Sequence, residues 1–168
     1  MLATLALFIF PVLMAYAASS DLLTMRIANW LVVLVVLAYL GLALLLHIPF
    51  EQIGWAAVAA VAVLVVAFAF FAFGWIGGGD AKLVSATAMW VGTTVMLQYL
   101  IYAALLGGAL TLIILAFRRY PMPDWLLRHK WVDRLHDTKS GVPYGIALAI
   151  AAILVYPDTT IFGALIGS

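Results

Sequence analysis

Apolar runs of about 20 residues recur along the chain, and no other feature of the sequence constrains its fold as strongly. A helix of that length crosses a hydrocarbon core of about 30 Å. Hydrophobic residues make up 68% of the sequence, whereas soluble domains contain about 45–50%. A membrane span must satisfy its own backbone hydrogen bonds, and the alternating pattern of an outer-membrane barrel is missing. We therefore predict an all-α integral membrane protein.

The apolar runs predict a polytopic bundle of six transmembrane helices in a single integral membrane domain, residues 1–168. The predicted spans are 2–19, 29–47, 53–73, 81–96, 98–117 and 142–162. The stretch 83–117 is too long for one helix, and its most polar part, from Gly92 to Gln98, marks the expected break. We interpret the first span as retained, because no basic residue precedes it as one would in a signal peptide.

The basic residues predict the orientation of these spans. Arg26 follows the first span, Lys82 lies between the third and fourth, and every other Lys and Arg lies between the fifth and sixth. The positive-inside rule places these loops in the cytoplasm, so both termini face outward in a multi-pass protein of the inner (plasma) membrane. The net charge of +1 gives no reason to expect a nucleic-acid partner, and the lipid bilayer is the expected surrounding.

The long loop 118–141 contains a predicted amphipathic helix over about 124–137. Trp125, Trp131 and Leu135 fall on one side of that helix, and most of the charged residues fall on the other. A basic amphipathic helix with tryptophans is expected to lie in the cytoplasmic interface of the membrane. Surface anchoring is therefore favoured over direct contact with a substrate.

No cysteine is present, which excludes disulfides, a thiol nucleophile and a cysteine zinc cluster. His129 and His136 lie beside Asp133 and Asp137 in the long loop. The loop is rich in Lys and Arg, so a solvated face explains this cluster better than a metal site does.

Two acidic residues stand at the ends of apolar runs. Asp21 follows the first span, and Asp80 follows the glycines Gly77, Gly78 and Gly79 at the start of the fourth. An ionisable group in a membrane helix costs about 2.5–3.5 kcal/mol on insertion scales, so its default interpretation is functional. Glycines lack side chains and would let a substrate strand approach closely. The predicted topology brings both carboxylates to the cytoplasmic boundary, although it fixes their depth and not their contact.

The residues alone leave three interpretations of Asp21 and Asp80. In an aspartic protease the two carboxyl groups share one proton; the ionised one activates a water and the protonated one polarises the scissile carbonyl. In a proton-coupled transporter the same two residues would be proton carriers, although such folds more often show an internal repeat with helices broken at mid-membrane. In a structural interpretation, Asp21 pairs with Arg26 and Asp80 pairs with Lys82.

Three short motifs, in order along the chain, resemble those of the prepilin peptidases, the type IV leader peptidase family of Gly-x-Gly-Asp membrane aspartyl proteases. The segment 77–83, GGGDAKL, resembles the Gly-x-Gly-Asp signature. The segment 20–29, SDLLTMRIAN, resembles the first motif of the family, an Asp followed after a short basic stretch by Ile-Pro-Asn, with Ala28 in the place of the proline. The segment 143–145, Pro-Tyr-Gly, resembles a further recurrent element.

This resemblance implies a membrane aspartic endopeptidase with Asp21 and Asp80 as its catalytic pair. The implied reaction is removal of the leader from prepilin-like membrane proteins, by cleavage after a glycine at the cytoplasmic membrane face. It requires neither a metal nor an organic cofactor. The loop formed by Gly77, Gly78 and Gly79 would lie against the extended junction of the substrate.

Four further residues are expected to support the site. Lys82 either tunes the carboxylates or anchors the cytoplasmic face. Asn29 either caps the second helix or bonds a catalytic carboxyl. Pro143 suits the first turn of the last helix, and Tyr144 is expected at the membrane interface.

The size of the chain narrows the resemblance further. Larger prepilin peptidases carry a cytoplasmic methyltransferase region with paired Cys-x-x-Cys motifs, and this chain has neither. It therefore resembles the small form of tight-adherence (Tad/Flp) pilus systems, the CpaA/TadV type, and N-methylation is not implied. Archaeal preflagellin peptidases share the catalytic motifs and are the alternative within the class.

Overall fold

The computed structural model describes residues 2–167, and the side chains of all of these except residues 2, 3 and 124. Every regular element in that part of the chain is a helix, which confirms the all-α prediction. The helices are α1 (Leu2–Leu7), α2 (Ile9–Thr24), α3 (Asn29–Leu45), α4 (Phe50–Ala72), α5 (Gly78–Val91), α6 (Met96–Phe117), α7 (Asp124–Leu127), α8 (Lys130–His136), α9 (Tyr144–Val155), a 3-10 turn (Tyr156–Asp158) and α10 (Thr160–Ile166).

Three of the described helices are long and apolar enough to cross a membrane: Thr4–Thr24, Phe50–Ala72 and Met96–Phe117. A fourth crossing results if Tyr144–Asp158 and Thr160–Ile166, which meet at a bend of 50°, are one span. Helix α3 is apolar but shorter, and α5 has only 14 residues. The structure thus supports three or four spans by length, and the count of six stays a prediction.

The helix breaks follow residues that cannot continue a helix. Pro11 has no N–H to donate to the carbonyl of Leu7, and the first helix is interrupted at Phe8, between α1 and α2. The apolar stretch 83–117 divides into α5 and α6 within the polar part where the sequence predicts a break. At the other end of the chain, Pro157 lies in the 3-10 turn at which the last span bends.

Helix α5 lies at the centre of the bundle. Its residues 83–91 are all buried, and it packs against α3, α4 and α9. Lipid is as apolar as a leucine side chain, so close packing and hydrogen bonds, rather than hydrophobicity, hold membrane helices together. Ser85 Oγ donates to the carbonyl of Ala60 at 2.8 Å. Trp90 Nε1 donates to the carbonyl of Val35 at 2.9 Å.

Large aromatic side chains fill one end of this core. Phe10 stacks on Trp90 with ring centroids 4.5 Å apart and lies 5.0 Å from the ring of Tyr156. Tyr39 meets the edge of Trp90 at 5.8 Å. We call these four residues the aromatic cluster. It joins α2, α3, α5 and the end of the last span.

The long loop differs from the prediction, because the single amphipathic helix over 124–137 is two short helices, α7 and α8. The chain is extended at His129, with φ −82° and ψ 112°, and this residue precedes α8. Helix α8 buries Val132 and Leu135 against the bundle, whereas Trp125 and Trp131 remain exposed. Its position between α2 and α6 therefore depends on contacts with the protein as well as on any contact with the membrane surface.

Candidate active site

Asp21 lies in the last turn of α2, and its side chain is only 5% exposed. Its Oδ2 accepts a hydrogen bond of 2.7 Å from the backbone N–H of Gly145, at the start of α9. The helix ends just after the aspartate, because Met25 adopts the left-handed conformation with φ 52° and its N–H bonds the carbonyl of Asp21. Asp21 thus points from the end of one helix to the beginning of another.

Asp80 lies in the first turn of α5 and is 9% exposed. Its Oδ2 accepts a hydrogen bond of 3.2 Å from the N–H of Gly77, the residue that precedes the helix. This is the half of a capping box in which the acidic residue bonds the backbone of the cap. A carboxylate is also favoured at this position because the helix dipole is positive at its N-terminus.

The two carboxylates meet around one backbone group. The N–H of Gly145 bonds Asp21 and also interacts with Asp80. The two acidic side chains are close enough for their charges to repel each other. The structure therefore brings two residues that are remote in the sequence near each other, and it adds the lateral proximity that the predicted topology left open.

Two residues that the sequence analysis quoted within motifs but did not list among the site residues hold this arrangement together: Gly145 and Ile27. A Cβ on Gly145 would lie 2.8 Å from Asp21 Oδ2 and 2.9 Å from Ile27 Cδ1, so any other residue would have to displace one of these side chains. A Cβ on Gly79 would lie 3.2 Å from Ile27 Cβ. Ile27, a buried residue in the short turn between α2 and α3, thus packs between the starts of α5 and α9. The available signal in the sequence was an isoleucine in a short loop, because an apolar side chain there needs a packing partner.

The other two glycines of the loop before Asp80 also have close neighbours. A Cβ on Gly77 would lie 2.8 Å from Asp80 Oδ2, so a side chain there would disturb the carboxylate. A Cβ on Gly78 would lie 3.2 Å from the ring of Phe71, near the end of α4. The three glycines therefore fit the fold tightly and leave room for the aspartate.

Lys82 and Asn29 contact each other and not the carboxylates. Lys82 Nζ donates to Asn29 Oδ1 at 2.9 Å and so ties the start of α3 to the first turns of α5. The prediction that Asn29 caps its helix or bonds a catalytic carboxyl is wrong, because Asn29 is the first helical residue and Ala28 occupies the cap position. Among the described residues, the ion pairs of the structural interpretation, Asp21 with Arg26 and Asp80 with Lys82, are not formed.

Pro143 and Tyr144 shape the start of α9. Pro143 is fully buried and immediately precedes the helix, one position before the expected first turn. The Tyr144 hydroxyl lies 3.0 Å from Thr111 Oγ1. The Tyr144 ring packs against Gly107, where an added Cβ would lie 3.1 Å from it. Tyr144 therefore packs α9 against α6 inside the bundle, in addition to any position it takes at the membrane interface.

A groove of about 420 Å³ opens beside Asp80, with α4 and α6 as its walls and α5 and α9 as its floor. Apart from Asp80 and Tyr144, the described residues that line it are all apolar. We call it the α4–α6 groove. No group of three or more His, Asp or Glu that could hold a metal occurs within the described part of the chain.

The fold and the site define a helical membrane protein with two buried carboxylates close to one backbone N–H. The sequence matches the family model of the type IV leader peptidases over residues 8–112, more than half of the chain, and the chain belongs to this family. Both aspartates lie in the matched region, and Gly145 lies beyond it. No curated protein matches, and no solved structure matches.

Membership of this family establishes the coarse function. The protein is a protease of the prepilin leader peptidase kind. Its membrane helices and its family together indicate an inner-membrane protein that acts on prepilin-like substrates. The proton-coupled transporter, the alternative left open by the two aspartates, has no comparable support.

Proposed function

We propose that the protein is an aspartic endopeptidase in which Asp21 and Asp80 form the catalytic pair, and that it removes the leader of prepilin-like precursors after a glycine. The observation that carries this proposal is the common position of two buried carboxylates around the N–H of Gly145. Two negative charges in a site with little water repel strongly, so the pair holds one proton between its two members.

Such a pair supplies both parts of amide hydrolysis. The ionised carboxylate takes a proton from a water, and the water oxygen attacks the scissile carbonyl carbon. The protonated carboxyl donates a hydrogen bond to the carbonyl oxygen, where negative charge develops. When the tetrahedral intermediate collapses, the C–N bond breaks and the amine leaves with a proton from the pair. Gly145 keeps Asp21 Oδ2 in place during these steps.

The depth of the two aspartates fits a prepilin-like precursor. Such a precursor has a short basic leader outside the bilayer and an apolar helix inside it, so its junction lies at the membrane boundary. Asp21 lies at the end of the apolar helix α2 and Asp80 at the start of α5, and we place both at the same membrane boundary as the junction of the precursor. A glycine at the junction keeps the strand slim enough to reach two carboxylates that are almost fully buried. Precursors of the tight-adherence (Flp/Tad) type are our proposed substrates, because the sequence contains no cysteine and therefore no Cys-x-x-Cys pair of the kind that larger prepilin peptidases carry.

The basic residues support a cytoplasmic position for the site. Arg26 follows α2, and Lys82 lies in the first turns of α5, next to the aspartates. Arg134 of α8 donates from Nη1 to the carbonyl of Leu23 at 3.0 Å. Positive charge is thus collected at the same end of the bundle as the two carboxylates, and the positive-inside rule assigns that end to the cytoplasm.

The test is leader cleavage in cells that co-express the protein and a prepilin-like precursor. Asp21→Asn and Asp80→Asn keep the size of the side chain and remove its acid–base function, so each is expected to lower cleavage by about 10²–10⁴-fold. Cleavage is measured as the loss of precursor mass. The position of the cut is read from the new N-terminus, which is expected to follow the glycine.

Asp158→Asn is the matched control, because Asp158 is exposed in the 3-10 turn at the far end of the last span. It is expected to cleave at the normal rate. Normal cleavage by either Asp21→Asn or Asp80→Asn would contradict the catalytic pair. Flux driven by a pH gradient in proteoliposomes, lost in the same variants, would support proton carriage in its place.

A further inference from the structure

Neither water nor a lipid acyl chain matches all of the residues that line the α4–α6 groove. Its walls and floor are hydrocarbon, because the described lining residues other than Asp80 and Tyr144 are all aliphatic or aromatic. Water would gain few hydrogen bonds there. The groove nevertheless ends on the carboxyl group of Asp80, to which an acyl chain can offer no hydrogen bond. Its occupant should therefore combine an apolar surface with a polar group at one end.

The walls of the groove are shaped for a helix. Ala62 and Ala67 of α4 and Ala103 and Ala104 of α6 line the groove from its two sides. Small residues at a membrane-helix interface let the backbones approach closely, and this close packing is what drives helices together in lipid. The neighbours of α4 and α6 do not fill this space, because α4 packs mainly on α5 and α6 packs mainly on α9.

We propose that the α4–α6 groove binds the apolar helix of the precursor, which enters sideways from the bilayer and presents the junction before that helix to Asp80. This inference rests on the proposed function and extends it with a docking surface. The groove is continuous with the candidate active site, since Asp80 and Val84, one helical turn apart on α5, both line it. A polypeptide helix provides the two properties that the groove demands: apolar side chains along its length and a polar backbone at its unwound end.

Sideways access also agrees with the burial of the carboxylates. Asp80 is 9% exposed, yet it faces a groove that opens between two helices with lipid-exposed surfaces. A substrate that is already in the membrane can reach it without crossing a polar phase.

The absence of cysteine from the chain allows a direct test by disulfide cross-linking. Ala62→Cys and Ala104→Cys place single thiols in the groove, and Ala69→Cys and Ala109→Cys place them on the same two helices outside it. All four alanines are exposed, so the pairs are matched in residue type and accessibility. The partner is a prepilin-like precursor with one cysteine in its apolar helix. The background is Asp21→Asn, which keeps the precursor intact and leaves the groove unchanged.

The expected result is a several-fold higher cross-linking yield in membranes from the two groove positions than from the two controls. Equal yields, or no cross-link from the groove, would overturn the docking site and would indicate that lipid alone occupies it. Cleavage does not enter this measurement. A flat cross-linking pattern thus contradicts the docking site alone, whereas normal cleavage by Asp21→Asn contradicts the catalytic pair alone.

Discussion

The two ends of the helix bundle are built from opposite kinds of residue. At one end, the aromatic cluster packs large rings against each other, and the Trp90 N–H has a backbone partner. At the other end, Asp21 and Asp80 are surrounded by glycines and backbone N–H groups. The same helices connect both ends: Phe10 and Asp21 lie on α2, and Trp90 and Asp80 lie on α5, about 15 Å apart along each helix.

This contrast separates stability from chemistry along the membrane normal. Van der Waals packing holds membrane helices together, and large rings provide most of it at the aromatic end. Buried acids contribute little to stability and are costly without partners, and the proposed function supplies the reason for their presence at the other end. Glycines at that end let the starts of α5 and α9 approach the turn after α2 closely. The two acids therefore gain hydrogen bonds from backbone N–H groups.

The largest expected effect on stability comes from the aromatic end. Trp90→Ala removes the ring on which Phe10 stacks, together with the hydrogen bond to Val35, and is expected to destabilise the protein by about 3–5 kcal/mol. The cleavage rate per folded molecule should stay near normal. Thermal unfolding in detergent and cleavage at low temperature measure the two effects separately.

Trp55→Ala is the control for this substitution, because Trp55 is 58% exposed. It is expected to change the unfolding temperature only slightly. The proposed division between the two ends would fail if Trp90→Ala unfolded like the wild type, or if it lost cleavage while it remained equally stable.

A smaller effect, on activity, is expected at Gly145. Gly145→Ala places a methyl group against Asp21 Oδ2 and Ile27 Cδ1 and must displace one of them. A shift of about 1 Å in a catalytic group can cost about 10²-fold in rate, so cleavage is expected to fall by roughly that factor. The measurement is the initial cleavage rate at matched amounts of folded protein.

Gly108→Ala tests whether this loss is specific. Gly108 has nothing within 4 Å of an added Cβ, so its substitution should leave both cleavage and stability unchanged. If Gly145→Ala cleaved as well as Gly108→Ala, the contact between Gly145 and Asp21 would have no part in the reaction.

Hydropathy and charge predicted most of the helices but not which helices contact each other. The apolar runs gave the order of the helical segments, and the polar residues between Gly92 and Gln98 gave the break between α5 and α6. Topology could place Asp21 and Asp80 at one depth. Their contact depends on Gly145, a partner 124 positions from Asp21 along the chain, and no periodic pattern reports such a pairing.

The errors have similar causes. The side chain of Asn29 suited a helix cap, but a tertiary contact with Lys82 replaced that local role. The amphipathic pattern over 124–137 extended across His129, where the chain is extended because α8 docks separately on the bundle. In both cases a local preference was correct in kind and was overridden by packing between distant segments.

The smallest expected effect concerns the turn that carries Ile27 into the site. Ala28 stands at the proline position of the motif that the segment 20–29 resembles, and its backbone has φ −69° and ψ 140°, which proline also adopts. Its N–H donates to no partner in the part of the chain that the structure describes. Ala28→Pro is therefore expected to preserve cleavage and to stabilise the protein by about 0.4–1 kcal/mol, because it restricts the unfolded chain.

Met25→Pro, in the same turn, is the contrasting variant, because proline does not suit the backbone at this position. Met25 has φ 52°, outside the range of proline, and its N–H bonds the carbonyl of Asp21. This variant should lose both stability and cleavage, as measured by thermal unfolding and by initial rate. A loss of stability in Ala28→Pro would show that the turn needs more than a backbone conformation that proline can adopt. The turn at the site would then tolerate substitution less well than its exposure suggests. The boundary between the rigid aromatic end of the bundle and the glycine-rich end, which we propose to be catalytic, would then lie at Ile27 and not at the carboxylates.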